Sequence, residues 1–90
     1  MAKLIKVDGS DQEVHPADGK AFTLEELQGF VGGYIERLQV GFREMYLNEE
    51  GKLHKLPLNR RATDLARMAG ISNLDYVVGD VVIGSSEEFN

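Results

Sequence analysis

Cysteine is absent from the 90 residues, which excludes disulfides, thiolate metal sites and cysteine nucleophiles and fits a reducing compartment. Histidine is scarce. His15 and His54 are the only two, and neither stands in an H-E-x-x-H arrangement or beside a nucleophile it could activate. Without C-x-x-C or calcium-loop spacing either, neither a metal site nor a cofactor is expected, and the chain is not expected to be an enzyme. No apolar run approaches the roughly 20 residues that cross a bilayer, so no membrane segment is expected. The start, "MAKLIKVDGS", lacks the apolar stretch of a signal peptide, and a cytoplasmic location follows as an expectation. Positive charge is also short: ten Lys and Arg face fifteen Asp and Glu, for a net charge of −5. That balance disfavours general association with nucleic acid, which needs a basic surface to neutralise phosphate.

What remains is an ordinary globular composition, 42% hydrophobic and 28% charged, read as one domain over residues 1–90. The stretch "KLIKV" (3–7) alternates as a short strand, "DGSDQ" supplies a turn, and "QEVHP" returns as a second strand that Pro16 ends. "FTLEELQGFVGG" carries the clearest local signal. Thr23 is an N-cap, Glu26 completes a capping box, Phe22 can staple onto Leu27, and Gly32 and Gly33 release the chain after about two turns. "YIERLQV" and "FREMYL" alternate as strands, and "NEEG" reads as a turn that makes "REMYLNEEGKLHKL" a hairpin with Gly51 left-handed. A second helix is expected over 60–69, with Ala62, Leu65, Ala66 and Ala69 on one stripe. "YVVGDVVIG" is β-branched and nearly continuous in apolar character, which predicts an interior strand, and the acidic end "SSEEFN" is expected to fray. The fold class is α+β, a small mixed, mainly antiparallel sheet with two short helices.

The glycines of "GFVGGY" precede a strand, whereas phosphate-binding fingerprints place them between a strand and a following helix. They read as a helix end. The segment "LPLNRRAT" is more telling, because Arg60 and Arg61 open a helix just after the cap Asn59. The first turn exposes unpaired N–H groups and the positive end of the macrodipole, so each cation there costs about 0.3–1 kcal/mol unless an anion lies near. Asn59, Arg60, Arg61 and the Thr63 hydroxyl can converge on one visiting anion, with Lys55 at the border. The aromatic set Tyr34, Phe42, Tyr46 and Tyr76 more usually packs in a core, but on an exposed sheet face it can stack on an attached base, Tyr34 being the site residue. The competing arrangement, and the commoner one, has the arginines paired internally with Glu49, Glu50, Glu36 or Glu44.

Four blocks carry a resemblance: "GGYIE" (32–36), "NEEGKL" (48–53), "LPLNRRAT" (56–63) and "VVGDVVIG" (77–84). In that order they resemble a small family known only as domain of unknown function 3846, whose members are common in bacteriophages and mobile elements. The resemblance implies a phage-like origin, with the host cytoplasm as location, and a single-domain fold. It supplies no catalytic residue.

The leading functional expectation is a phage-type binding protein that captures an anionic small molecule, a host nucleotide signal being one concrete version. Such pockets often form between subunits, so a homo-oligomer is a further expectation. The alternative is an acidic inhibitor that docks on a basic surface of a host protein, with fast and salt-sensitive association. Direct nucleic-acid binding through Lys55, Arg60, Arg61 and Arg67 fits the net charge least well.

Overall fold

The computed structural model describes residues 1–89. Along the chain run β1 (Ala2–Ile5), β2 (Asp11–Val14), α1 (Leu24–Val31), β3 (Ile35–Val40), β4 (Arg43–Asn48), α2 (Arg60–Met68) and β5 (Val81–Ser85), followed by a 3-10 turn over Ser86–Glu88. The strands form one sheet in the order β2-β1-β5-β4-β3, antiparallel at every pairing, and with the helices they make an α+β fold. No helix among the described residues is long and apolar enough to cross a membrane.

The last strand to be made sits in the middle of the sheet. Val81, Val82 and Ile83 are 0%, 0% and 2% exposed, because β5 has a strand on either side and a covered surface on both faces. A strand buried on both faces has no use for polar alternation, which is why this segment reads as a continuous apolar run. The pleat divides the core. Leu4, Tyr46 and Val82 point to one face and pack with Leu27 of α1, Phe22 and Phe89. Ile5, Met45, Val81 and Ile83 point to the other and pack with Ala62 and Ala66 of α2. The two helices therefore cover opposite faces.

α1 forms as its sequence predicts. Thr23 accepts from the Glu26 N–H at 3.1 Å, the Glu26 carboxylate accepts from the Thr23 N–H at 2.9 Å, and Gly32 closes the helix with φ 81°.

The second hairpin differs from its sequence reading. Its strands are β3 and β4, joined through Gly41 and Phe42 with Val40 opposite Arg43. Gly41 has φ 63°, which suits the tight two-residue turn that follows strand twist. The expected return strand "KLHKL" does not form, because both edges of β4 are already taken by β3 and β5. Residues 49–56 coil instead, with the Gly51 N–H bonded to the Asn48 carbonyl and the Leu56 N–H to the Gly51 carbonyl. The left-handed residue of this segment is Lys55, φ 56°, rather than Gly51. Gly51 is needed for room: a Cβ there would stand 2.8 Å from Val78 Cγ2.

The C-terminus does not fray up to Phe89. Its ring is 7% exposed, stacked on Phe22 at 5.7 Å and tilted against Tyr46 at 4.6 Å. Glu88 holds the turn in place by accepting from the Ser85 N–H and hydroxyl, and its carbonyl receives the Phe22 N–H at 2.8 Å. The polar letters around Phe89 conceal an aromatic anchor.

Candidate ligand-binding site

The start of α2 is built around Asn59. Its Oδ1 accepts from the Ala62 N–H at 3.0 Å, capping the helix, while its Nδ2 donates to the carbonyls of Ile5 and Gly79 at 3.0 and 2.9 Å. With 0% exposure and every polar atom of its side chain engaged, Asn59 joins helix, β1 and the approach to β5, and offers nothing to a ligand. Thr63 is similarly occupied. Its hydroxyl donates to the Val77 carbonyl at 3.2 Å and accepts from the Val77 N–H at 2.9 Å, so it substitutes for a strand partner of that residue.

The two arginines part company. Arg61 donates to the Asp11 carboxylate and to the Gly9 carbonyl, and thereby pins the helix to the β1–β2 hairpin. The partner is none of the four glutamates named from the sequence, because β2 folds Asp11 onto the α2 face opposite Ile5. Hydrogen bonding from Arg61 holds the Asp11 carboxyl below its ordinary range. Arg60 is exposed and has no ion-pair partner among the described residues.

Arg60 lines an open cleft of about 480 Å³ with Leu58, Thr63, Asp64, Arg67 and Tyr76. The spacing 60, 64, 67 marks the outer face of α2, opposite the alanines that meet the sheet. Tyr76 forms the far wall. The Lys52 ammonium sits 4.4 Å from the centre of its ring and pairs with the Asp75 carboxylate. Hydrogen bonds from Lys52, and then from the Tyr76 N–H, hold the Asp75 carboxyl below its usual range. Arg67 donates from Nε and Nη2 to the Asp75 carbonyl at 3.3 and 2.9 Å, so helix and wall are tied together. The cleft thus offers one uncommitted guanidinium, one partly committed, a tyrosine 44% exposed and a leucine 50% exposed, with one carboxylate among them.

The sequence points to six residues for a ligand: Asn59, Arg60, Arg61, Thr63, Lys55 and Tyr34. Arg60 and Thr63 line this cleft. Lys55 lies on the coiled 49–56 segment and does not line it, and Tyr34 belongs to a separate depression with Gln28, Glu50 and His54. Leu58 and Asp64 escaped the sequence reading, although helical spacing from Arg60 could have indicated Asp64.

Over residues 2–89 the chain matches the family described as domain of unknown function (DUF3846). Comparison with curated proteins and with solved structures finds no match.

Proposed function

The chain belongs to the DUF3846 family, and we propose that in it the cleft of Leu58, Arg60, Asp64, Arg67 and Tyr76 captures a small anion bearing a flat ring, most simply a nucleotide. The observation that carries this reading is the exposed Arg60 guanidinium at the electropositive end of α2, with no ion-pair partner among the described residues, beside an accessible tyrosine. A phosphate would meet the Arg60 fork and the remaining N–H of Arg67, in charge-assisted hydrogen bonds stronger than neutral ones. A base would lie between Tyr76 and Leu58, and Asp64 would accept from a ribose hydroxyl or an exocyclic amine. Capture without chemistry suits a cleft that, among the described residues, is lined by no histidine and no second carboxylate to move protons. In a phage setting, such capture would sequester a host nucleotide signal.

Thermal-shift measurements against mononucleotides, cyclic nucleotides and inorganic phosphate test the proposal. A nucleotide at 100 times its Kd should stabilise the fold by about 2.7 kcal/mol, and Arg60→Ala should remove that gain. Absence of stabilisation by any of these ligands in the parent protein, or its survival in Arg60→Ala, would overturn the reading.

A further inference from the structure

The last turn of α1 lies between two depressions. One, of about 410 Å³, is lined by Gln28, Gly29, Tyr34, Glu50 and His54 among others. The other, of about 290 Å³, includes Gly29, Phe30, Leu56, Pro57 and Asp80. Gly29 and Gly32 belong to both linings, so the two depressions meet across the end of the helix.

Gly32 has a structural reason, its left-handed cap conformation at φ 81°. Gly29 has none. It lies inside α1, its φ is not positive, and a Cβ built on it would meet nothing within 4 Å. Alanine would fit there and would favour the helix. The fold loses by having glycine at this position, and glycine leaves the surface shared by the two depressions uncovered.

The surroundings favour positive charge. Glu50 stands on one side and Asp80 on the other, and α1 carries no basic residue in its last turn. The helix end adds partial negative charge of its own. The Gln28 carbonyl accepts from the N–H groups of Gly32 and Gly33, and the Val31 carbonyl accepts from Asn48 Nδ2. Beyond the helix end, no N–H among the described residues bonds to the carbonyls of Gly29 or Phe30. Tyr34, 66% exposed, presents a ring of the kind that attracts ammonium groups. The one basic side chain in either lining is His54, whose Nε2 is 3.5 Å from Glu50 Oε1. Asp80 Oδ1 accepts from the Val7 N–H at 3.0 Å, which fixes that carboxylate in place. Beside Asp80, Leu56 and Pro57 supply apolar surface.

We propose that the two depressions together bind a linear aliphatic amine charged at both ends. One ammonium sits between Glu50 and the Tyr34 ring, the methylenes cross Gly29 and Gly32, and the other ammonium meets Asp80. This site is separate from the nucleotide cleft, and neither depends on the other.

Calorimetric titration with putrescine, spermidine and butylamine at about 0.15 M salt tests it. Spermidine or putrescine should bind saturably at one site, and butylamine, with a single charge, more weakly. Glu50→Gln should weaken diamine binding by at least about tenfold. Gly29→Leu should raise Tm, because leucine favours helix, while its side chain covers the shared surface and binding is lost. Asp80→Asn keeps an oxygen for the Val7 N–H and removes charge, so it should reduce the preference for putrescine over butylamine. An acidic protein that merely attracts polycations would bind spermidine unsaturably and equally in all variants. That result, or undiminished binding in a folded Gly29→Leu variant, would overturn the proposal. If Gly29→Leu fails to fold, unchanged affinity in Glu50→Gln would do so.

Discussion

The Arg61 guanidinium grips the Asp11 carboxylate and the Gly9 carbonyl, so the first turn of α2 is tied to a hairpin some fifty residues earlier in the chain. A cation that weakens an isolated helix start here serves as the fastening between helix and sheet edge. Arg60, its neighbour in sequence, has no such partner among the described residues and lines an open cleft.

The Asp11 pair carries a pH signature. Hydrogen bonding from Arg61 lowers the folded carboxyl pKa below its ordinary 3.8. The unfolded chain therefore binds the proton first as pH falls, so the contribution to stability is complete above the unfolded pKa and is lost as pH drops below 3.8 through the folded value. Urea unfolding of the parent and of Asp11→Asn should differ at about pH 6, and the difference should shrink as pH falls below 3.8. A gap that persists at acid pH would show that the pair is not its source.

Asn59 should tolerate no replacement, including the usual good N-caps. Asn59→Ala removes the cap at a cost of about 1 kcal/mol and leaves the Ile5 and Gly79 carbonyls short of a donor, at a further 1–3 kcal/mol, roughly, for each group that stays buried and unpaired. Asn59→Asp preserves the cap acceptor but cannot donate and places a charge where exposure is 0%. Chemical denaturation should rank the parent well above both. If Asp proved equal to Asn, capping alone would explain the residue.

The C-terminal anchor predicts a coupled pair. Phe89→Ala should cost about 3–5 kcal/mol, as for other buried phenylalanines. Gly84→Ala should cost about 1–3 kcal/mol by overpacking, because its Cβ would come within 2.9 Å of Glu88 Oε1 and 3.0 Å of Phe89 Cζ. The double variant should lose clearly less than the sum, since without the ring much of the clash at position 84 disappears. Strict additivity in denaturant unfolding would contradict this packing.

Arg60 should behave in the opposite way. Replacing it with Ala removes a cation from the positive end of α2, so ligand-free stability should hold or rise by about 0.3–1 kcal/mol. Replacement with Glu should add to the gain. A fall in Tm for Arg60→Ala would mean that the side chain does structural work, and the argument for a reserved guanidinium would fail.

Much of the fold was legible along the chain because it rests on local rules. The capping box at Thr23 and Glu26 and the glycine at 32 define α1 through interactions within a few residues. Asn59 marks the start of α2 in the same way, and the β-branched run at 81–83 announces a strand covered on both faces. What pairs with what was less legible. The alternation of 43–56 suits a hairpin, but whether residues 52–56 become a strand depends on a free edge, and β5, arriving from the far end of the sequence, occupies it.

The sequence by itself determined the α+β class, both helix starts, the interior strand and the oddity of two arginines at a helix tip, since each depends on spacing and on residue chemistry within a short window. Only the tertiary structure decided where those arginines lie and what surrounds them. Asp11 reaches Arg61 and Tyr76 reaches the cleft of Arg60 through strand pairing and chain reversal, and ion-pair partners far apart in sequence leave no periodic trace. The same holds for Phe89, whose burial depends on space left above Gly84 by a strand whose neighbours come from other parts of the chain.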